Sequence, residues 1–140
     1  MANFQEGSSR LSFPSGHDFT SSGTTYDAPY TAVKLSTVSG VVSVVAATAD
    51  TDPIIGILYN CPDATGTADV VSINQQGTVK VTAGGAITLG ALVTINSSGQ
   101  AIAATQTTAG SQPVVQIIGR ATEAAASGQV FTIQTLNFLY

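Results

Sequence analysis

Charge is what this chain has least of. Only 9% of its 140 residues are Asp, Glu, Lys or Arg, against about 25% in an ordinary soluble domain. The four bases, Arg10, Lys34, Lys80 and Arg120, stand far apart, and eight carboxylates leave a net charge of −4. Binding nucleic acid needs clustered Lys and Arg to displace counterions from phosphates, so neither nucleic acid nor an anionic membrane surface is expected as a partner. There is no Trp and one cysteine, Cys61. A lone cysteine excludes an intrachain disulfide; next to Pro62 in a turn it reads as a small buried or half-buried residue. No run approaches the ~18 apolar residues of a membrane helix. The opening Met-Ala-Asn-Phe-Gln-Glu-Gly has neither the basic nor the apolar region of a secretory leader. A soluble product made in the cytoplasm is the expectation.

Catalytic sets are equally scarce. A nucleophile elbow, a P-loop lysine, a zinc pair and a dinucleotide fingerprint are all missing. Gly84-Gly85-Ala86-Ile87-Thr88-Leu89-Gly90 has glycines but neither a lysine nor a following helix pattern. His17, the single histidine, lies where no strand pattern holds it against Cys61. Asp50 and Asp52 flank Thr51 in a loop, but a calcium loop needs more oxygen ligands and a glycine bend, so they read as solvated turn carboxylates. Asn96-Ser97-Ser98 fits a glycosylation sequon, which carries little weight without a secretory leader. Glu123 is the one acid remotely eligible for paired-carboxylate chemistry. The expectation is a protein with no catalytic residues, no cofactor and no metal.

What the chain does hold is Val and Thr, 14 and 19 of them, both strand formers. The centre of the pattern is the stretch 53–90. Its apolar runs, Ile54 to Tyr59, Val70 to Ile73 and Val79 to Val81, are separated by Cys61-Pro62-Asp63-Ala64-Thr65-Gly66 and Asn74-Gln75-Gln76-Gly77, and Ala83-Gly84-Gly85 follows the third. Short β-branched runs between such clusters predict strands joined by tight turns. Alternation in Val79-Lys80-Val81 sends Lys80 to water and both valines to a core. Thr31 to Ser36 alternates likewise, with Val33 and Leu35 inward and Lys34 outward. Ser39-Gly40 then turns the chain into a second strand, Val41 to Ala47. Further strands are predicted at 91–95, 100–104 and 114–119, with extended structure resuming at Gly128. Arg120 to Ser127 could form one helical turn, too short to stand alone. The apolar end, Leu136-Asn137-Phe138-Leu139-Tyr140, predicts a strand added to a neighbour or tucked into the core.

The halves echo each other at offsets near 60 residues. Ala32-Val33 through Ser39-Gly40 matches Ala91-Leu92 through Ser98-Gly99. Ile54-Ile55-Gly56 matches Ile117-Ile118-Gly119. Val70 falls over Val130 and Ile73 over Ile133. The expected fold is therefore all-β, a barrel or sandwich of two pseudo-repeats, 30–83 and 90–140, joined through Gly84-Gly85. Residues 1–29 differ, with no period and with Pro14 and Gly16 interrupting. Five of the nine aromatics, Phe4, Phe13, Phe19, Tyr26 and Tyr30, fall in the first 30 positions. Ordering a residue costs about 1–2 kcal/mol and burying one Phe returns ~1.5–3 kcal/mol. This predicts an extended N-terminal arm, mobile until its aromatics dock on a partner, with residues 30–140 as the β-rich body.

Three runs carry a family resemblance: Tyr30-Thr31-Ala32-Val33-Lys34-Leu35, Pro53-Ile54-Ile55-Gly56-Ile57-Leu58-Tyr59-Asn60-Cys61-Pro62, and Gly77-Thr78-Val79-Lys80-Val81-Thr82-Ala83-Gly84-Gly85-Ala86-Ile87-Thr88-Leu89-Gly90. Together with Ile118-Gly119-Arg120-Ala121-Thr122-Glu123-Ala124-Ala125-Ala126-Ser127-Gly128 they resemble the capsid cement, or head decoration, proteins of tailed bacteriophages. The likeness spans about residues 30–135, through short motifs and not one signature. It implies a β-clip-like fold, a homotrimer on the outer capsid surface at three-fold and quasi-three-fold positions, the major capsid protein as partner, and stabilisation of the shell. Phe4, Phe13, Phe19, Tyr26 and Tyr30, with Phe138 and Tyr140 from the tail, are then the expected capsid and subunit contacts. The alternative is a virion-borne module that binds carbohydrate or a host surface.

Overall fold

The computed structural model describes residues 10–20, 30–105 and 114–140. They form ten strands: β1 Arg10–Pro14, β2 Ala32–Val38, β3 Val41–Ala46, β4 Ile54–Leu58, β5 Thr67–Ser72, β6 Thr78–Thr82, β7 Leu92–Ile95, β8 Ala101–Ala103, β9 Gln116–Ala121 and β10 Val130–Leu139. Two antiparallel five-stranded sheets result, ordered β1-β5-β4-β2-β3 and β6-β10-β9-β7-β8. The fold is all-β and sandwich-like. Neither sheet is a closed barrel, although each curls until its first strand touches its last at one bridge, Ser15 with Val44 and Ala83 with Ala101.

The two sheets follow one plan, strand for strand. Gly56 lies opposite Ser72 as Gly119 lies opposite Thr135. Leu11 lies opposite Val70 as Val79 lies opposite Ile133. The turns agree as well. Gly16 N–H donates to Val44 O as Gly84 N–H donates to Ala101 O, and Phe19 N–H donates to Pro62 O as Ile87 N–H donates to Ala125 O. The matching units therefore run from β1 to β5 and from β6 to β10, with Ile73 to Gly77 as the joint. Gly84-Gly85 lies inside the second unit, in the place that Gly16-His17 holds in the first.

This changes the expected offsets. Val70 corresponds to Ile133 and not to Val130, a slip of three residues. An odd slip turns every side chain to the opposite face, and Val130 is 48% exposed where Val70 is buried. Similarly Val33, opposite Gly56, corresponds to Val93, opposite Gly119, and not to Leu92.

Residues 10–20 depart from the expectation of a mobile arm. Arg10–Pro14 pairs with Thr67 to Val71 of β5, and Phe19 is 0% exposed in a core with Val33, Val44, Ala46, Leu58, Ala68 and Val70. The β1–β5 ladder orders the segment and the rest of its sheet supplies the pocket for Phe19, so no aromatic offsets the backbone entropy alone. The second unit fills the same space differently, with Ile87 in the place of Phe19 and Phe131, not Ala, in the place of Ala68. The larger core spans both sheets, from Ile54, Ile57 and Ile73 to Val81, Ile95, Ile118 and Ile133.

Elsewhere, Val79 and Val81 are buried and Lys80 exposed, as alternation predicts. Val33 points inward, but Leu35, opposite Val44, is exposed, and Lys34 pairs with Asp52 at 2.9 Å. Residues 120–127 contain no helix; Ala125 makes an extended bridge to Ile87. The chain end is not an added edge but the end of β10, between β6 and β9, with Phe138 opposite Ile117. Cys61 is exposed, contrary to the expectation of burial, because residues 61–65 form a loop outside the sheets.

Candidate functional site

Three surface features are candidates for recognition. The first is the β2–β3 hairpin. Its ladder runs from Val33–Ala46 to Val38–Val41, and Ser39 and Gly40 both take positive φ, 50° and 81°. That is the primed turn favoured by the right-handed twist of a two-residue hairpin. The corresponding β7–β8 ladder covers only Val93–Ala103 to Ile95–Ala101. The tip of this shorter hairpin is covered, since Gly99 O accepts from Ala32 N–H in the first sheet. The longer hairpin instead leaves Leu35, Val38, Val41 and Val42 exposed. Four exposed apolar side chains on one hairpin are worth explaining, whereas scattered ones are not.

The second feature is the end of β10. Phe138 and Leu139 are exposed, and the Phe138 ring meets Tyr140 edge to face at 6.1 Å. A bulge between Thr135 and Phe138 re-aims this end. A polar cluster supports it: Gln116 donates to the Asn137 side-chain oxygen, Asn137 donates to Asn74, and the Thr135 hydroxyl donates to Gln75 O.

The third is a cleft of about 330 Å³ between the sheets, lined by Arg10, Tyr59, Val71, Thr78, Val79, Lys80 and Thr132. The Arg10 guanidinium lies 4.7 Å from the centroid of Tyr59, a cation–π contact worth about 0.5–1 kcal/mol at an exposed position. Tyr30 meets Tyr59 edge to face at 5.4 Å. Composition showed only scattered bases; β1 and β6, corresponding strands of the two sheets, bring Arg10 and Lys80 to one opening.

Among the described residues, the expected contacts are not gathered into one surface. Phe4 and Tyr26 lie outside the described residues. Phe13 packs partly buried beside the Phe19 core, and Phe19 itself has no surface left for a partner. Tyr30 braces the sheets, its N–H donating to Leu58 O and its carbonyl accepting from Thr82 N–H. Phe138 and Tyr140 stand together at the end of β10. The hairpin valines and the Arg10–Lys80 cleft were not singled out from sequence; the run Val41-Val42 flanking Ser39-Gly40 was the available signal for the hairpin.

Three carboxylates are held below their ordinary range. For Asp52, burial opposes ionisation, but hydrogen bonds from Lys34 and from the N–H groups of Thr48 and Ala49 prevail. The Thr20 hydroxyl and N–H lower Asp18, and those of Thr65 lower Asp63. All three are turn-building contacts. Among the described residues no group of three or more His, Cys, Asp or Glu could hold a metal ion, and no helix is long and apolar enough to cross a membrane.

No family model matches the sequence, and no curated protein does. The fold is similar to a solved structure described as the head fiber gp8.5 N base of bacteriophage phi29. The TM-score is 0.65 at 20% identity, over 91% of this chain and 94% of that one. The two chains share a fold over nearly their whole lengths.

Proposed function

We propose that this chain is a non-enzymatic structural protein of a bacteriophage head, a decoration protein that attaches to the outside of the shell and stabilises it. The observation that carries the reading is the shared fold with the phi29 head-fibre base across nearly all of both chains. The sequence resemblance to head decoration proteins points the same way. The surface suits such attachment, because with 9% charged residues little ion desolvation opposes burial against a large partner. The β2–β3 hairpin tip and the Phe138–Tyr140 end are the contact surfaces, with the major capsid protein as partner. Assembly as a homotrimer multiplies weak contacts through effective concentration.

The test is electron microscopy of the purified protein mixed with undecorated phage heads. Regular added density on the outer face is expected; bare heads at saturating protein would overturn the reading. A second reading, the foot of a head fibre, is favoured by the likeness to a head-fibre base. Thermal stability of the shell separates the two. A decoration protein that binds the assembled shell and not its free subunits raises the shell's melting temperature by mass action, whereas a foot that grips a single subunit leaves it unchanged.

A further inference from the structure

Arg10 and Lys80 come from different sheets, lie far apart in sequence and share one cleft. We infer that the cleft is a carboxylate-binding site that receives an Asp or Glu side chain of a protein partner. Among the described residues neither cation is ion-paired, and the one salt bridge joins Lys34 to Asp52. The nearest-registered carboxylates serve the backbone and a hydroxyl instead. Asp69, opposite Ser12 on β1, accepts from the Ser12 hydroxyl at 3.0 Å, and Glu123 accepts from Thr132 N–H at 2.9 Å. Val71, Val79, Thr78 and Thr132 complete the lining. An open cleft with two cations that have no carboxylate partner among the described residues suits an incoming oxyanion, which the planar Arg10 fork can grip through two N–H groups.

The anion class follows from the surroundings. Asp69 and Glu123 bond to Ser12 and Thr132, on strands that line the cleft, and with a chain charge of −4 their repulsion grows with ligand charge, which favours a single negative charge over a dianion or a polyanion. Acidic sugars are disfavoured because Arg10 already covers a face of Tyr59, the one aromatic ring lining the cleft on which a sugar could stack. A side-chain carboxylate, small and singly charged, fits both limits.

The test is an amide NMR titration of the full chain with acetyl-Gly-Glu-Gly-amide. Acetyl-Gly-Gln-Gly-amide, glucuronate and inorganic phosphate are run in parallel. The Glu peptide should shift Arg10, Val71, Thr78 to Lys80 and Thr132 at millimolar concentrations, with the Gln peptide silent. R10Q and K80Q should each weaken binding at least five-fold while leaving amides remote from the cleft in place. Since R10Q also removes the contact with Tyr59, K80Q, at an exposed position of β6, stands as the control should R10Q disturb the fold. Equal response to Gln, tighter binding of phosphate or glucuronate, shifts confined to other surfaces, or no shifts at all would each overturn the inference. The titration contains no phage head, so its result is independent of the decoration reading.

Discussion

Two glycines at corresponding places carry much of the sheet geometry. A Cβ at Gly56 would collide with the Val71 carbonyl oxygen, and one at Gly119 would come within 2.6 Å of Gln134 O. Glycine within a strand marks such close approach of another backbone, and here the β4–β5 and β9–β10 ladders need it. Gly56→Ala and Gly119→Ala should each destabilise by about 1–3 kcal/mol, the range for overpacking. Urea unfolding should show a lower midpoint at unchanged slope. Asp52 makes a different residue-scale prediction. Its pKa is lowered in the folded state, so its contribution to stability is present above the unfolded value of about 3.9. That contribution disappears as pH falls through the folded value. Asp52→Asn should therefore cost stability at pH 7 and flatten the loss of stability below about pH 4. Melting temperatures of both proteins between neutral and acid pH check the sign.

At the scale of elements, β1 is where sequence reading and structure part most. Arg10-Leu11-Ser12-Phe13-Pro14 alternates exposed and half-buried residues, but five residues ending at a proline give too short a period-2 signal to stand out. Pro14 is tolerated because β1 is an edge strand for most of its length. Most other strands were legible from Val, Ile and Thr runs between turn clusters, and Ser39-Gly40 marked its own hairpin. The offsets between the halves were not legible, since alternating Val, Thr and Ala fit several registers and only backbone pairing selects one. Nor was the arrival of Arg10 beside Lys80, which depends on how the two sheets pack. Phe19 provides the test of β1. Phe19→Ala should cost about 3–5 kcal/mol, as for a fully buried Phe, and should weaken hydrogen-exchange protection in β1 and β5 first. Exchange unchanged from the parent chain would mean that the segment after β1 is not part of the core.

For the whole molecule, the informative feature is a difference between two sheets of one plan. Each places a hairpin at the same edge, β2–β3 in the first and β7–β8 in the second. The shorter hairpin is used internally, its tip bonded to Ala32 of the other sheet. The longer one carries Val41 and Val42, 51% and 52% exposed. Folding does not demand those valines, because surface substitutions remote from special features change stability within about 0.5 kcal/mol. Under the decoration reading they are held for the shell, where burying each removes apolar area from water at about 25 cal/mol per Å². Val41→Asn with Val42→Asn should then leave the melting temperature of the isolated protein nearly unchanged. Binding to undecorated heads should fall at least ten-fold in a cosedimentation assay. Lost binding with intact folding would assign the hairpin to the shell interface. Full binding would move the interface to the Phe138–Tyr140 end, where Phe138→Ser supplies the next measurement.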